Sequence, residues 1–377
     1  MFLDPKVARD FRERINSSEI FRRSENLKER FNLICVVMDR IDSAVNYLNK
    51  NSADPQTEED FICFLVYACM VKDAISKLYE NVYHHKPEYV TQKKYFCDVK
   101  QYGKMVFTEE TCPTDDMFFE YLRSMAFAHP FETGHRKRPF IDKDETQYCP
   151  WVIVHGSHVG IRVYTSSEKF VIEDLSFAFE NLKNYIKERY EYLKELTAWA
   201  EQEIAEQNQE WSQHKVERSE DVFETIASIK EIYDERFYEP YEVEKIERYL
   251  KCDVTVPENI ENISKYKDAL KQSVEKICDA LDNVEECDLA SATDDIFAWP
   301  RNGHQMMHYQ LEKIMCYLGE ESDSWDRIWG LKQAEAFSKE FAKKWFVFDF
   351  DKMSDEEIQL TVSAACYLEY MEQEGNR

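Results

Sequence analysis

Two long stretches near the N-terminus repeat their apolar residues at helical spacing, and they constrain the fold most strongly. They cover residues 25–50 and 57–83, and Thr57 is well suited to cap the second. The 377-residue chain contains only 8 glycines and 10 prolines, so tight turns are few and helices are long. We therefore predict two long core helices in a mainly α-helical fold.

Short β patterns interrupt the helices of the first half. Two short alternating runs flank Gly103 and predict a small hairpin that turns there. Further along, β-branched runs are separated by Gly and Ser, which predicts a small antiparallel β meander inserted at about 151–173. Its strands are expected at 151–155, 161–165 and 169–173.

The second half of the chain is predicted to form a separate acidic domain. We expect a helical bundle with the β insertion over 1–215, ending in a very long helix at 176–211, and an all-α domain over 216–377. Residues 201–377 carry 42 acidic and 20 basic side chains, a net charge of −22 out of −26 for the whole chain. Such a domain would be regulatory or partner-binding. Its helices are expected at 219–235, 239–251, 258–285, 303–319, 327–345 and 354–373.

The cysteines and the apolar runs predict a cytoplasmic protein. The 11 cysteines form no CxxC pair and lie mostly within apolar periodic runs, as Cys35, Cys63, Cys69 and Cys316 do, which predicts reduced thiols in the core. No charged leader with an apolar segment opens the sequence, and the longest apolar run is too short to span a bilayer. We therefore expect no membrane association.

The acidic total argues against most nucleic-acid partners, because phosphate binding depends on Lys and Arg. Residues 84–140 are the exception, with 9 basic and 8 acidic side chains. A polyanion can approach this part of the chain more easily than any other.

An arginine and a histidine stand six residues apart within this window, in "LRSMAFAHP". On an ideal helix Arg123 and His129 would lie about 120° apart. Pro130 biases His129 away from helical dihedrals, so the predicted helix, which starts at Thr114 or Asp115, ends at His129 and leaves its ring free to turn.

This segment resembles the signature of HEPN-domain ribonucleases, which consists of an arginine, a polar residue, several further residues and a histidine. The matching positions are Arg123, Ser124 and His129, and the resemblance covers roughly residues 20–215. The family most often has Asn where this chain has Ser124. The resemblance implies a helical bundle, RNA as substrate, a homodimer that brings two motifs together, and a role as a toxin or antiviral defence effector.

The chemistry of this pair suits RNA cleavage by the 2′-OH. A histidine transfers protons near neutral pH, and an arginine stabilises the charge that develops on the phosphate. We expect no metal and no other cofactor. Arg123 could instead pair with Glu120 or Asp116, and His129 could cap its helix.

Nearby basic residues are candidates for RNA binding, although a solvated surface turn and ordinary packing explain them as well. These candidates are His135, Arg136, Lys137, Arg138, Lys93 and Lys94.

A second Arg-to-His spacing occurs in the acidic half, where Arg301, Asn302 and His308 form a second candidate site. A helix N-terminus after Pro300 is the alternative interpretation of this stretch. The alternative for the whole protein is a non-catalytic helical scaffold that binds a basic partner through its acidic half.

Overall fold

The computed structural model describes most of the chain as two compact units, Met1–Ala205 and Glu206–Arg377. It is mainly helical and contains one small antiparallel sheet. Among the helices that the structure describes, none has both the length and the apolar character that crossing a bilayer requires. The functional division predicted at residue 215 stays a prediction. The described residues are 1–101, 103–134, 141, 145–166, 172–300, 306–319 and 324–375.

The helices up to residue 211 belong mainly to the first unit, whose core contains Phe64, Ile75, Phe118 and Leu182. They are α1 (Pro5–Asn16), α2 (Ile20–Arg23), α3 (Lys28–Lys50), α4 (Glu58–Tyr83), α5 (Asp115–Arg123), α6 (Phe179–Glu191) and α7 (Leu193–Trp211).

The two long helices predicted from apolar spacing, α3 and α4, are confirmed. Thr57 caps α4 as expected. Its hydroxyl accepts a hydrogen bond from the Asp60 N–H at 3.1 Å, and the Asp60 carboxylate accepts one from the Thr57 N–H at 3.0 Å. This reciprocal capping box satisfies two N–H groups that the helix itself leaves unpaired. The two helices pack against each other, and α4 also packs against α6.

The sheet has the strand order β2, β1, β7, β6, β4, β3, and β5 pairs with the part of β6 that β4 leaves free. All its pairs are antiparallel, and β6 with β7 forms the longest pair. The predicted hairpin at Gly103 is confirmed by β1 and β2, and Gly103 has a φ of +79°. The strands are β1 (Lys100–Gln101), β2 (Lys104–Met105), β3 (Thr133–Gly134), β4 (Thr146–Tyr148), β5 (Val152–His155), β6 (His158–Thr165) and β7 (Ile172–Ala178).

The predicted three-stranded meander at 151–173 is too small. Its first two strands match β5 and β6, but the third strand continues to Ala178, and four further strands join the same sheet. Residues 167–171 of the predicted third strand lie outside the described residues. In β7, Leu175 and Phe177 alternate into the core, a strand period that the following helical pattern concealed. The predicted helix at 176–211 is therefore wrong at its start, and it is interrupted at Tyr192.

Gly160 permits the close approach of β6 to β7. A Cβ at this position would lie 1.9 Å from the Leu175 carbonyl oxygen, far inside van der Waals contact. Any other residue would push the two longest strands of the sheet apart.

The prediction that the cysteines are reduced and buried is wrong at several positions. Cys97 and Cys112 form a disulfide, because the chain between them turns back at β1 and β2 and brings their Cα atoms within 5.4 Å. Cys69 is buried and Cys35 is half-buried, but Cys63 and Cys316 are exposed.

Every secondary-structure element described in the second unit is a helix, and its buried apolar residues form one core. The predicted helices occur with shifted ends, and the short α11 was not predicted. The predicted start at 303 lies outside the described residues. The helices are α8 (Val222–Glu235), α9 (Tyr241–Lys251), α10 (Ile260–Asn283), α11 (Glu286–Ser291), α12 (Met307–Tyr317), α13 (Ser324–Glu340) and α14 (Asp355–Gly375).

Candidate functional site

The Arg-to-His segment changes its helical geometry between the two residues. Arg123 ends α5, and Ser124–Ala128 form a single π-helical turn. The sequence predicted a continuous α-helix over these residues. The His129 N–H donates to the Ser124 carbonyl oxygen at 2.7 Å and closes this turn. His129 itself has φ −143° and ψ 51°, outside the helical region, as Pro130 predicted. The helix therefore fixes the backbone of Arg123, while His129 lies beyond its end.

Arg123 and Phe127 line a groove of about 720 Å³ against α3 and α4. Its walls are mainly apolar, and Val36 on α3 is 56% exposed there. A groove of this size can accommodate a nucleobase-sized group. The apolar lining is completed by Leu33, Val37, Val66, Met70 and Ala74.

The charged residues of the groove are predominantly basic. Four cations, Arg40, Lys72, Lys77 and Arg123, line it together with two carboxylates, Asp73 and Glu80. Arg40 and Lys77 are exposed and have no acidic partner within 4 Å among the residues that the structure describes. In a protein with a net charge of −26, this excess of positive charge favours anions at the groove.

Glu120 holds two of these cations in place. Its carboxylate accepts hydrogen bonds from Lys72 Nζ at 2.5 Å and from an Arg123 terminal nitrogen at 3.0 Å. Burial alone would raise the pKa of Glu120, but Lys72 and Arg123 outweigh it and lower that pKa. Burial alone would lower the pKa of Arg123, and Glu120 reverses this effect. Of the two alternative partners expected for Arg123, the structure shows Glu120.

The lowered pKa of Glu120 predicts an acid-sensitive contribution to stability. The carboxylate stabilises the fold at neutral pH, and this contribution is lost as the pH falls below the ordinary range of Glu through the lowered folded-state pKa. Glu120→Gln should cost roughly 1 kcal/mol at neutral pH, discounted because the side chain is 37% exposed, and this cost should shrink as the pH falls below the ordinary range of Glu. Urea unfolding of both proteins across this range measures the difference. A difference that does not change with pH would contradict the ion-pair role of Glu120.

The N-terminal end of α5 is fixed by two buried carboxylates. Asp115 accepts hydrogen bonds from the backbone N–H groups of Lys94, Tyr95 and Phe96 at 2.8–3.2 Å. Asp116 accepts one from Arg189 at 3.0 Å. These contacts set the position of the helix that carries Arg123.

The Asp116 carboxylate also accepts a hydrogen bond from the Tyr185 hydroxyl at 2.8 Å. The guanidinium carbon of Arg189 lies 4.0 Å and 4.5 Å from the ring centroids of Tyr185 and Tyr89. Burial, followed by the Asp116 charge, raises the pKa of the Tyr185 hydroxyl, which therefore stays protonated and donates.

Ser124 and His129 differ in their access to solvent. Ser124 is 4% exposed, and its hydroxyl lies 3.5 Å from the Thr133 hydroxyl inside the fold. His129 is exposed, and its ring makes no hydrogen bond to another described residue. His129 thus caps the end of the helix through its backbone N–H, as the alternative interpretation expected, while its ring makes no such bond to the described residues and is available to a ligand. His129 is not among the residues that line the groove. It follows Phe127 by two residues, so the Cα atoms of Phe127 and His129 are at most about 7.6 Å apart.

Lys93 and Lys94 lie near the other end of α5. The backbone N–H of Lys94 donates to Asp115, which lies about 12 Å from Arg123 along the axis of α5. The ammonium group of Lys94 pairs with Glu188 at 3.1 Å. Lys93 is exposed beside a separate cavity. The structure thus does not bring these two lysines to the Arg123 groove. His135, Arg136, Lys137 and Arg138 lie outside the described residues.

The second candidate site is described only at His308. This residue is exposed on the first turn of α12, and its ring centroid lies 4.9 Å from that of Trp299. Arg301 and Asn302 lie outside the described residues. Among the residues that are described, no group of three or more His, Cys, Asp or Glu side chains is placed to hold a metal ion.

The groove contains cations that the sequence motif did not identify. Lys72 and Lys77 lie on α4 and Arg40 on α3, far from Arg123 in the chain. Lys72, Ser76 and Glu80 recur at helical spacing, which marks a polar stripe on an otherwise apolar helix. That stripe was the available signal in the sequence.

Comparison with known protein families, with curated proteins and with solved structures finds no match to this chain. The assignment of a function therefore rests on the chemistry of the site.

Proposed function

We propose that the protein is a metal-independent RNA endonuclease of the HEPN type, with Arg123 and His129 as its catalytic residues. The observation that supports this most is the net positive groove around Arg123 in a strongly acidic protein. The exposed ring of His129, two residues from Phe127 of the groove, adds an imidazole that can act as a general acid or base.

In the proposed reaction, the groove binds the RNA backbone through Arg40 and Lys77, which have no acidic partner among the described residues. An unstacked base contacts the apolar wall near Phe127. The ribose 2′-OH attacks the adjacent phosphorus and loses its proton to a histidine. The 5′-oxygen leaves and receives a proton. Arg123 stabilises the negative charge on the non-bridging oxygens. The products are a 2′,3′-cyclic phosphate and a 5′-hydroxyl end.

The proposal includes a homodimer in which each chain completes the site of the other. The apolar groove wall with the exposed Val36 would then contribute to the contact between protomers. We further propose a role as a toxin or antiviral defence effector, with the acidic second unit, which has most of the net charge, as the regulatory or partner-binding part.

The test is incubation of the full chain with a mixed RNA pool in EDTA, followed by analysis of the product ends. Cleavage that resists EDTA and leaves 2′,3′-cyclic phosphate ends is the expected result. Cleavage that EDTA abolishes, or that leaves 3′-hydroxyl ends, would show a different mechanism.

A second candidate function is a non-catalytic scaffold, and the surface of the second unit favours it. Trp325, Ile328 and Trp329 are exposed on one face of α13, and the Trp329 indole lies 3.3 Å from the Tyr309 hydroxyl. Exposed aromatic clusters are typical of protein interfaces, and the acidic surroundings favour a basic partner. A folded protein that leaves RNA intact and binds a basic protein, but loses this binding in Trp325→Ala/Trp329→Ala, would support the scaffold instead.

A further inference from the structure

Lys245 on α9 lines a small cavity of the second unit, and most of the other lining residues are apolar. The cavity has a volume of about 20 Å³, more than a single water-sized sphere requires. It is enclosed mainly by side chains from α12, from α14 and from the segment before residue 300. The lining includes Phe297, Trp299, Leu311, Met315, Ser363 and Cys366.

The amine of Lys245 has no counterion among the residues that the structure describes. Its nitrogen lies 4.1 Å from the ring centroid of Phe297 and 5.6 Å from that of Tyr249. It forms no ion pair or hydrogen bond with any residue in the described part of the chain. Glu242, one turn earlier on the same helix, instead accepts a hydrogen bond from the Thr293 hydroxyl at 2.5 Å. Aromatic faces are therefore the main contacts of this cation.

This environment disfavours the charged form of the lysine. Burial and then the positive charge of Arg248 lower the pKa of Lys245 to about 8, and the opposing influence of Glu242 and Cys366 is weaker. About a fifth of the amine is then uncharged near pH 7.4, against about 0.1% for an ordinary lysine. An uncharged lysine amine is a nucleophile for electrophilic carbon.

We propose that Lys245 binds carbon dioxide covalently as a carbamate. The nitrogen lone pair forms a bond to the carbon of CO₂, one C=O electron pair moves to its oxygen, and the nitrogen releases a proton to water. Carbon dioxide is small and uncharged, so it suits a cavity of this size among mostly apolar side chains. The product carries a negative charge. The neighbouring Arg248 attracts this charge, whereas it repels the positive charge of the ammonium form.

Lys267 provides a matched comparison within the same unit. Burial lowers its pKa as well. Its ammonium group, however, donates to the carbonyl oxygens of Leu250 at 3.0 Å and Cys252 at 2.7 Å. These two carbonyl oxygens favour the protonated form and occupy the amine, so Lys267 should remain largely unmodified.

The test exposes the full chain to ¹³C-labelled CO₂ near neutral pH, fixes carbamates by ethylation of the new carboxylate, and locates them by peptide mass spectrometry. Trapped product at Lys245 should exceed that at Lys267 by at least about tenfold, because only Lys245 has an unbound amine and an adjacent cavity. In Lys245→Met the ¹³C carbamate resonance of the intact protein should disappear while the unfolding temperature is kept.

Three results would overturn the proposal. These are no trapped carboxylate at Lys245, equal trapping at Lys245 and Lys267, and a resonance that persists in Lys245→Met. Reaction with small aldehydes but not with CO₂ would also reject it. This proposal does not depend on the ribonuclease activity proposed for the first unit.

Discussion

Replacement of His129 by alanine is expected to lower the rate of RNA cleavage by about 10²–10⁴-fold, the usual contribution of a general acid or base. The free energy of unfolding should change by less than about 0.5 kcal/mol, because the ring is exposed and makes no hydrogen bond within the described structure. Initial cleavage rates and thermal unfolding of the same preparations measure both effects. A large loss of activity at unchanged stability separates a group that acts on the RNA from one that only supports the fold, and a loss in kcat identifies a catalytic group.

Two other exposed histidines serve as controls for this variant. His155 lies in the same unit, on β5, and His155→Ala should leave cleavage unchanged. His308 belongs to the second candidate site. Full activity in His129→Ala would refute the assignment, and a loss confined to His308→Ala would move the site to the second unit.

Substitution of Arg123 by lysine tests whether the planar geometry of the guanidinium matters in addition to its positive charge. Its guanidinium is held by Glu120 through one terminal nitrogen, and its other donors remain for a phosphate. Lysine keeps the charge but cannot present this planar set of donors, which is why the two residues are not equivalent at such a site.

The local features of the site could be predicted from sequence, because they depend on neighbouring residues. Pro130 determines the backbone of His129, and the apolar periods of α3 and α4 determine the helices that form the groove. The π-helical turn at Ser124 could not be predicted, since a single wider turn leaves no distinct residue pattern.

The features that depend on distant contacts could not be predicted from sequence. Lys72 and Glu120 are 48 residues apart, and no spacing rule relates them. The disulfide between Cys97 and Cys112 forms only because a short hairpin returns the chain. The end of strand β7, residues 176–178, falls within the predicted helix, because the apolar residues after it continue at helical spacing and its pairing with β6 is a tertiary contact.

Replacement of Arg189 by methionine is expected to destabilise the first unit by about 3–5 kcal/mol, the range for a buried ion pair that loses one partner. Arg189 is fully buried, and Asp116 would lose its only ion-pair partner within the described structure. The Asp116 carboxylate would then remain almost fully buried, with the Tyr185 hydroxyl as its remaining side-chain donor among the described residues. Hydrogen exchange of peptides from α5 and α6, measured across a denaturant series, reports this unit separately from the second.

The double variant distinguishes a buried charge from simple loss of packing. In Arg189→Met/Asp116→Asn neither charge is left unpaired, so its cost should be clearly less than the sum of the two single variants. Arg14→Met is the matched control, because Arg14 pairs with Glu201 at 3.3 Å on the surface and should cost less than about 1 kcal/mol. Additive costs in the double variant would show that Arg189 acts through its contacts with Tyr89 and Tyr185. The expected non-additivity would instead identify the Arg189 and Asp116 pair as the contact that holds α5, and with it Arg123, in position.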